Sequence, residues 1–289
     1  MNTLEIVGFF DDKDSLSLSM AITEFPGGEV NICIPPGFYY NMDEFIHIEI
    51  NCRISNSVGV MALLLLNNAL LQESLKCLIT LNLGYIPYGR QDRVCNKGEA
   101  FSSCVFSQLL NSLNVNKINT LDPHSAVSTK FIDNDMFINS QEDMIIRFPS
   151  LHKHYPKHPT RELIFVSPDK GAKQKTIDAA KALGIREVIQ GHKVRDPKTG
   201  ELTGFTYKGD VKGKHLLIVD DICDGGGTFI GLVKELWKGE PLQIDLYVSH
   251  GIFSKGVDIL FESGISNIYT TDTVANGLQH PRLHVTKWY

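Results

Sequence analysis

Two rhythms of apolar and polar positions alternate along the chain. Short runs dense in aliphatic and β-branched residues occur at 75–81 (LKCLITL), 117–121 (KINTL), 163–166 (LIFV), 215–219 (HLLIV), 243–248 (QIDLYV) and 267–270 (NIYT), with the length and composition of buried strands. Between them, residues 100–113, 172–183, 228–237 and 254–263 carry apolar positions at helical spacing, and the second and fourth of these run into Gly184 and Gly264. Parallel neighbours need a crossover, usually a helix, so strands alternating with helices predict an α/β protein with parallel, doubly wound sheets.

Neither rhythm is sustained over residues 138–160 (INSQEDMIIRFPSLHKHYPKHPT), and the second half of that stretch is rich in His, Pro and Lys. A domain junction is therefore expected near residue 145, giving a first domain over 1–145, a second over 146–273 and a tail over 274–289 packed back on the first. Residues 192–204 (HKVRDPKTGELTG) read as a mobile hairpin or loop with its turn at 197–200. No low-complexity tract or short-period repeat interrupts the two successive halves.

Composition narrows the class. With 43% hydrophobic and 21% charged residues over 289 positions, the chain has enough apolar material for two cores and too little charge for general disorder. A formal net charge of −5 gives no electrostatic footprint for nucleic acid or an anionic membrane, so a small anionic ligand would need a local site. The cysteines are scattered without C-x-x-C spacing, which predicts reduced, buried thiols. The first residues show no basic stretch followed by an apolar one, and the longest apolar run, 59–66 (GVMALLLL), is far too short to span a bilayer; a cytoplasmic protein is expected.

The chemistry concentrates in residues 216–236, LLIVDDICDGGGTFIGLVKEL. A strand that delivers Asp220 and Asp221 to its carboxyl end, then a glycine turn, then a helix, places ligand groups where open α/β sheets bind ligands. Gly225, Gly226 and Gly227 let backbone N–H groups approach a phosphate, and the helix beginning near Thr228 adds its positive dipole end and a hydroxyl. Adjacent carboxylates repel phosphate, but they accept hydrogen bonds from vicinal hydroxyls and hold Mg²⁺ through water. A sugar phosphate satisfies both halves. The same residues would also suit an ordinary polar turn with Asp224 as a capping acid; three acids and three glycines within residues 220–227 weigh for a ligand site. The G-x-x-x-x-G-K-[ST] order of a Walker loop is missing.

This stretch resembles the phosphoribosyl diphosphate loop of type I phosphoribosyltransferases and their relatives. Residues 86–103 (IPYGRQDRVCNKGEAFSS), 120–125 (TLDPHS) and 166–176 (VSPDKGAKQKT) resemble, more narrowly, the motifs of the ribose-phosphate diphosphokinases, also called phosphoribosyl pyrophosphate synthetases. The likeness runs from about residue 75 to 273; before that only FPGGEVNI, from Phe25, is similar to the family's F-x-D-G-E segment. The resemblance implies two doubly wound domains of type I phosphoribosyltransferase-like fold. It also implies Mg²⁺-dependent transfer of the β,γ-diphosphoryl group of ATP to the anomeric hydroxyl of ribose 5-phosphate, with release of AMP.

Matched position by position, the resemblance assigns ATP binding to Phe25, Glu29, Arg90, Gln91, Asp92, Arg93 and His124, the arginines being suited to bidentate phosphate contact. It places the metal near Asp122, His124, Asp133 and Asp169, and the ribose and its phosphate at Asp169, Asp220, Asp221, Asp224, Gly225, Gly226, Gly227 and Thr228. Lys193 and Arg195, with His124, match catalytic positions, where cations stabilise charge developing on the transferring group. The family also implies a homo-oligomer in which a neighbouring subunit's Phe25 region completes the ATP site. Small molecules are the expected partners, with no nucleic acid and no membrane.

Departures gather at the acceptor end. Where the family usually has D-T-G-G-T or D-T-A-G-T, this chain has Asp224-Gly225-Gly226-Gly227-Thr228, losing a hydroxyl whose hydrogen bond to phosphate is worth about 1.5–3 kcal/mol. Gly27 replaces the acid of the F-x-D-G-E segment, and residues 57–66 lack the family's N-D-x-L-M-E-L pattern. Three readings stay open: ribose 5-phosphate as acceptor; ADP-ribose as acceptor, as in the phage ADP-ribose pyrophosphate synthetases that rebuild NAD; and a non-catalytic regulatory homologue.

Overall fold

In the computed structural model the apolar runs form strands and the amphipathic stretches form helices. It describes residues 2–72, 76–148, 151, 163–195, 202–274 and 277–289, with backbone only at 195 and 202. The chain divides into two units, Met1–Asn139 with Thr273–Ala275, and Ser140–Asp272 with Asn276–Tyr289.

In the first unit the strands are β1 (Thr3–Phe9), β2 (Ser15–Ser19), β3 (Thr23–Glu24), β4 (Val30–Asn31), β5 (His47–Arg53), β6 (Leu78–Leu83), β7 (Lys117–Leu121) and β8 (Asp135–Asn139). Six of them make one sheet in the order β2-β1-β5-β6-β7-β8. β1 runs antiparallel to β2 and β5, whereas β5 to β8 are parallel. Helices Ser57–Leu71 and Ser102–Asn111 make the crossovers on either side of β6. Asn56 caps the first, its side-chain oxygen accepting from the Gly59 N–H at 3.3 Å. Ile48 and Ile50 of β5, Ile79 and Leu81 of β6, and Leu63, Leu66 and Leu70 of the helix are buried in one core. Alternate residues of the strands carry a polar ladder: Asn119 donates to Asn82, and Asn82 to Asn51, each at 2.7 Å.

The second unit holds β9 (Leu163–Ser167), β10 (Val188–Arg195), β11 (Leu202–Tyr207), β12 (His215–Cys223), β13 (Gln243–Gly251), β14 (Ile268–Thr271) and β15 (Leu283–Thr286), in the order β11-β10-β9-β12-β13-β14-β15. Among the described residues of this sheet only the β10–β11 hairpin is antiparallel. β12 shows the layering directly. Leu216 and Ile218 join one buried cluster with Leu232 and Val233 of helix Gly227–Leu236, while Leu217 and Val219 join another with Ala179 and Ala180 of helix Lys173–Ala182. Alternate residues of a strand face opposite sides, so both faces of this sheet are covered by helix.

Several expectations are adjusted. The strand expected over 75–81 is observed as β6, Leu78–Leu83, and Leu75 lies outside the described residues. The units part between Asn139 and Ser140. Residue 145 falls inside helix Gln141–Arg147, which begins at a Ser140 cap and buries Ile145 with Phe165, Leu217 and Tyr247 of the second unit. The end of the tail belongs to the second unit: β15 pairs with β14, and Trp288, 1% exposed, donates its backbone N–H to Asp272 Oδ1 at 3.2 Å. The expected burial of the thiols holds for Cys52 and Cys223, while Cys33 and Cys95 are exposed and Cys77 and Cys104 intermediate; all six are free. No described helix is long and apolar enough to cross a membrane.

Candidate active site

In the first unit the loops that follow β6 and β7 are tied together. The Gly84 carbonyl accepts from the Leu121 N–H and the Thr120 hydroxyl, both at 3.0 Å. Next along the chain, the Gly89 carbonyl accepts from Ser128 Oγ at 3.1 Å, and a Cβ at Gly89 would lie 3.6 Å from the Cβ of His124. Arg90 and His124, thirty-four positions apart, therefore share one loop cluster at the carboxyl ends of β6 and β7. Gln91 is fixed by its N–H to the Tyr88 carbonyl and by its carbonyl to the Ser103 N–H. Beyond Arg93 the chain turns on Glu99, whose Oε2 accepts from the N–H groups of Cys95 and Asn96 at 2.9 and 3.0 Å. Arg90, Gln91, Arg93 and His124 are exposed, and Asp122 is 4% exposed with a left-handed φ of 39°.

Three expected residues fall elsewhere. Asp133 precedes β8, where its carboxylate and N–H engage the Asn111 side chain at 2.8 and 2.9 Å. β7 and β8 are parallel with Lys117 opposite Asp135 and Leu121 opposite Asn139, so Asp133 lies at the amino end of the sheet and Asp122 at the carboxyl end. Four residue steps of strand, roughly 13 Å at the usual rise, keep them apart, and Asp133 is removed from the metal set. Phe25 and Glu29 close the β3–β4 turn by the Phe25 N–H to Glu29 carbonyl bond of 2.8 Å, and the Phe25 ring stands 56% exposed.

In the second unit, helix Lys173–Ala182 and helix Gly227–Leu236 both begin just beyond the carboxyl ends of their strands. Asp169, after β9, accepts from the Gly171 and Ala172 N–H groups at 2.9 and 3.2 Å. Its other oxygen accepts from Lys193 of the neighbouring β10 at 2.8 Å. Partial burial pushes the Asp169 carboxyl up, but the Lys193 hydrogen bond and charge, with the two N–H groups, outweigh it and hold the group below the usual range. The Arg195 backbone ends β10; its side chain, and the expected turn at 197–200, lie outside the described residues.

β12 carries Asp220 and Asp221 at its far end. The Asp221 N–H donates to Asp220 Oδ1 at 2.9 Å, and the Asp220 carbonyl accepts from Gln141 Nε2 at 2.7 Å. Burial first, then the adjacent Asp221 and more distant Asp169 charges, push the Asp220 carboxyl well above the usual range. A divalent cation, or hydroxyl donors, brought to this acidic pair would offset that cost, so the donor set fits Mg²⁺ held through water. Among the described residues no three His, Cys, Asp or Glu side chains converge on a ready metal site.

The loop that follows is shaped for backbone approach. Gly226 has φ of 74° and a Cβ there would meet Leu260 at 2.8 Å, so glycine is required by the fold. Gly227 has open space around it and Gly225 meets only ordinary contacts, the nearest being Lys255 Cε at 3.6 Å. Packing does not demand glycine at either, and the bare backbone leaves room for a ligand to approach. Gln141 and Lys255 carry no local signal in the sequence; each reaches the site from a distant element.

Set against known proteins, residues 148–274 match the family model described as a phosphoribosyl transferase domain. The ribose-phosphate pyrophosphokinase of Agrobacterium fabrum is 30% identical over 217 residues, 74% of this chain and 67% of that protein. That of Cereibacter sphaeroides is 29% identical over 220 residues, and the chain spans 63% of its length. The phosphoribosylpyrophosphate synthetase of Mycobacterium smegmatis superposes with a TM-score of 0.76 at 24% identity, over 92% of this chain and 85% of that one, a likeness of fold.

Proposed function

This chain belongs to the ribose-phosphate pyrophosphokinase family, and on that premise we propose that it transfers the β,γ-diphosphoryl group of ATP to the anomeric 1-hydroxyl of ribose 5-phosphate, giving phosphoribosyl pyrophosphate and AMP. The observation that carries the reading is the carboxyl edge of β9, β10 and β12, where a bare glycine loop at a helix start lies next in the chain to an acidic pair that needs hydroxyl donors or a cation.

In this reading the N–H groups from Gly225 to Thr228 hold the sugar phosphate, and Asp220 and Asp221 accept the 2- and 3-hydroxyls, turning the anomeric hydroxyl outward. Arg90 and Arg93 take ATP phosphate oxygens, with Gln91, Asp92 and His124 completing that half. Lys193 leaves Asp169 for the transferring group, where its ammonium, with Arg195, stabilises the charge that grows on the diphosphoryl oxygens and on AMP. Bound Mg²⁺ would neutralise phosphate charge; Asp122 and His124 in the first unit, and Asp169 in the second, are the residues that would hold it. The proton of the anomeric hydroxyl departs as that oxygen bonds to the β-phosphorus and the bond to the α-phosphate oxygen breaks. A homo-oligomer in which the exposed Phe25 and Glu29 turn serves a neighbouring subunit, and a cytoplasmic location, belong to the same reading.

The test is AMP release by the purified protein with ATP and Mg²⁺, offering ribose 5-phosphate and ADP-ribose separately and weighing the products. The product formed from ribose 5-phosphate must gain one diphosphoryl group. A diphosphorylated ADP-ribose with little reaction on ribose 5-phosphate overturns the acceptor, and no AMP with either overturns the activity.

A further inference from the structure

The bare position at Gly225 has a charged neighbour. Where a Cβ would project, the stem of Lys255 passes at 3.6 Å (Cε) and 3.7 Å (Cδ), with Ser254 Oγ at 3.9 Å. The ammonium is one bond beyond Cε. It therefore lies within side-chain reach of any anion held by the N–H groups of residues 225–228.

This proximity is built in by the backbone. The N–H groups of Ile252 and Phe253 both donate to the Cys223 carbonyl, at 2.9 and 3.0 Å, which clamps the loop after β13 onto the strand end that feeds the glycine turn. Phe253 is 3% exposed and adopts a left-handed φ of 48°, a strained conformation for a bulky residue, and the Gly256 N–H closes the turn on the Phe253 carbonyl at 2.8 Å. Between these two fixed points only Ser254 and Lys255 form the exposed tip. Among the described residues no carboxylate holds Lys255 in an ion pair, in contrast to Lys193.

We propose that Lys255 is a specificity-determining residue of the acceptor site, its ammonium binding the phosphate of the sugar beside Gly225, a position that itself carries no side chain. The proposal rests on the reading that residues 224–228 hold the acceptor's phosphate. An ammonium supplies charge and three rotatable donors from the open side of the loop, whereas backbone N–H groups supply fixed donors from beneath. The two sets complement one another.

The experiment compares wild type with Lys255→Met, which keeps the stem and removes the charge, and with Lys255→Arg. Steady-state kinetics are read for both substrates, and ribose 5-phosphate binding is titrated calorimetrically without ATP. Lys255→Met is expected to raise KM for ribose 5-phosphate and its dissociation constant at least about tenfold, as for loss of a charge-assisted bond, with KM for ATP within about twofold. Lys255→Arg should keep most of the affinity, and Gly225→Thr added to Lys255→Met should restore part of it. Unchanged ribose 5-phosphate affinity in Lys255→Met overturns the assignment. An inactive wild type would defeat the proposed activity alone, and the titration would still decide the role of Lys255; a wild type that binds no ribose 5-phosphate would overturn both.

Discussion

Lys193 and Asp169 form a half-exposed pair with side chains 27% and 32% accessible, so the 2.8 Å contact adds little stability, about 1 kcal/mol or less. Its interest is chemical. Lys193→Ala should leave thermal denaturation nearly unchanged and cut turnover at least about 10²-fold; near-normal turnover would remove Lys193 from the mechanism. Asp220 behaves in the opposite sense from Asp169. Its folded pKa is raised by burial and by Asp221, so ionising it costs stability: the stability it contributes is present below the unfolded carboxylate pKa and lost as pH rises through the folded one. Asp220→Asn should therefore match wild type in Tm at acid pH and become the more stable protein towards neutrality, while losing activity. Equal melting curves at every pH would contradict that account. The acidic pair and glycines were legible in the sequence because strand, turn and helix are contiguous there. Lys255 and Gln141 were not, because their approach to this loop exists only in space. Asp133, eleven positions after Asp122, shows the converse: a short separation in sequence spans the length of the strands when the chain returns from the end of one strand to the start of the next parallel one.

At the level of elements, the turn from β12 into helix Gly227–Leu236 divides its glycines by task. Gly226→Ala meets both a left-handed φ and the Leu260 side chain, and should destabilise the unit by roughly 2–5 kcal/mol, the sum of the conformational and overpacking costs. Gly227→Ala enters a helix with open space around it and should be neutral or stabilising by about 0.5–1 kcal/mol, yet weaken the sugar phosphate. Chemical denaturation alongside KM for ribose 5-phosphate separates the two; a Gly227→Ala variant with unaltered KM would remove that glycine from the phosphate cradle. Parallel strands such as β9 and β12 were readable because burial on both faces makes them continuously apolar. The early strands were not: β1 and β2 alternate buried or half-buried with more exposed positions, and β2 is a serine-rich edge. Helix Ser57–Leu71 hid for the opposite reason, since apolar residues on nearly every side blur the helical period. The β10–β11 hairpin was legible only as a hairpin or a loop, because an edge pair need not be apolar.

For the molecule as a whole, the sequence pattern implied two α/β bodies, and the chain folds as two units with a predominantly parallel sheet in each. The boundary and the tail were the illegible parts. A short helix declares its allegiance through the core it enters, and a final strand through the edge it extends, and both are tertiary facts. The central claim is that two phosphoryl groups move together from ATP to the anomeric oxygen of ribose 5-phosphate. Phosphorus-31 NMR of the reaction with Mg²⁺ tests it most directly. The account predicts an AMP singlet growing in step with two coupled diphosphate doublets of the sugar product. ADP accompanied by a new anomeric monophosphate singlet, in addition to that of the 5-phosphate, would show single phosphoryl transfer and contradict it.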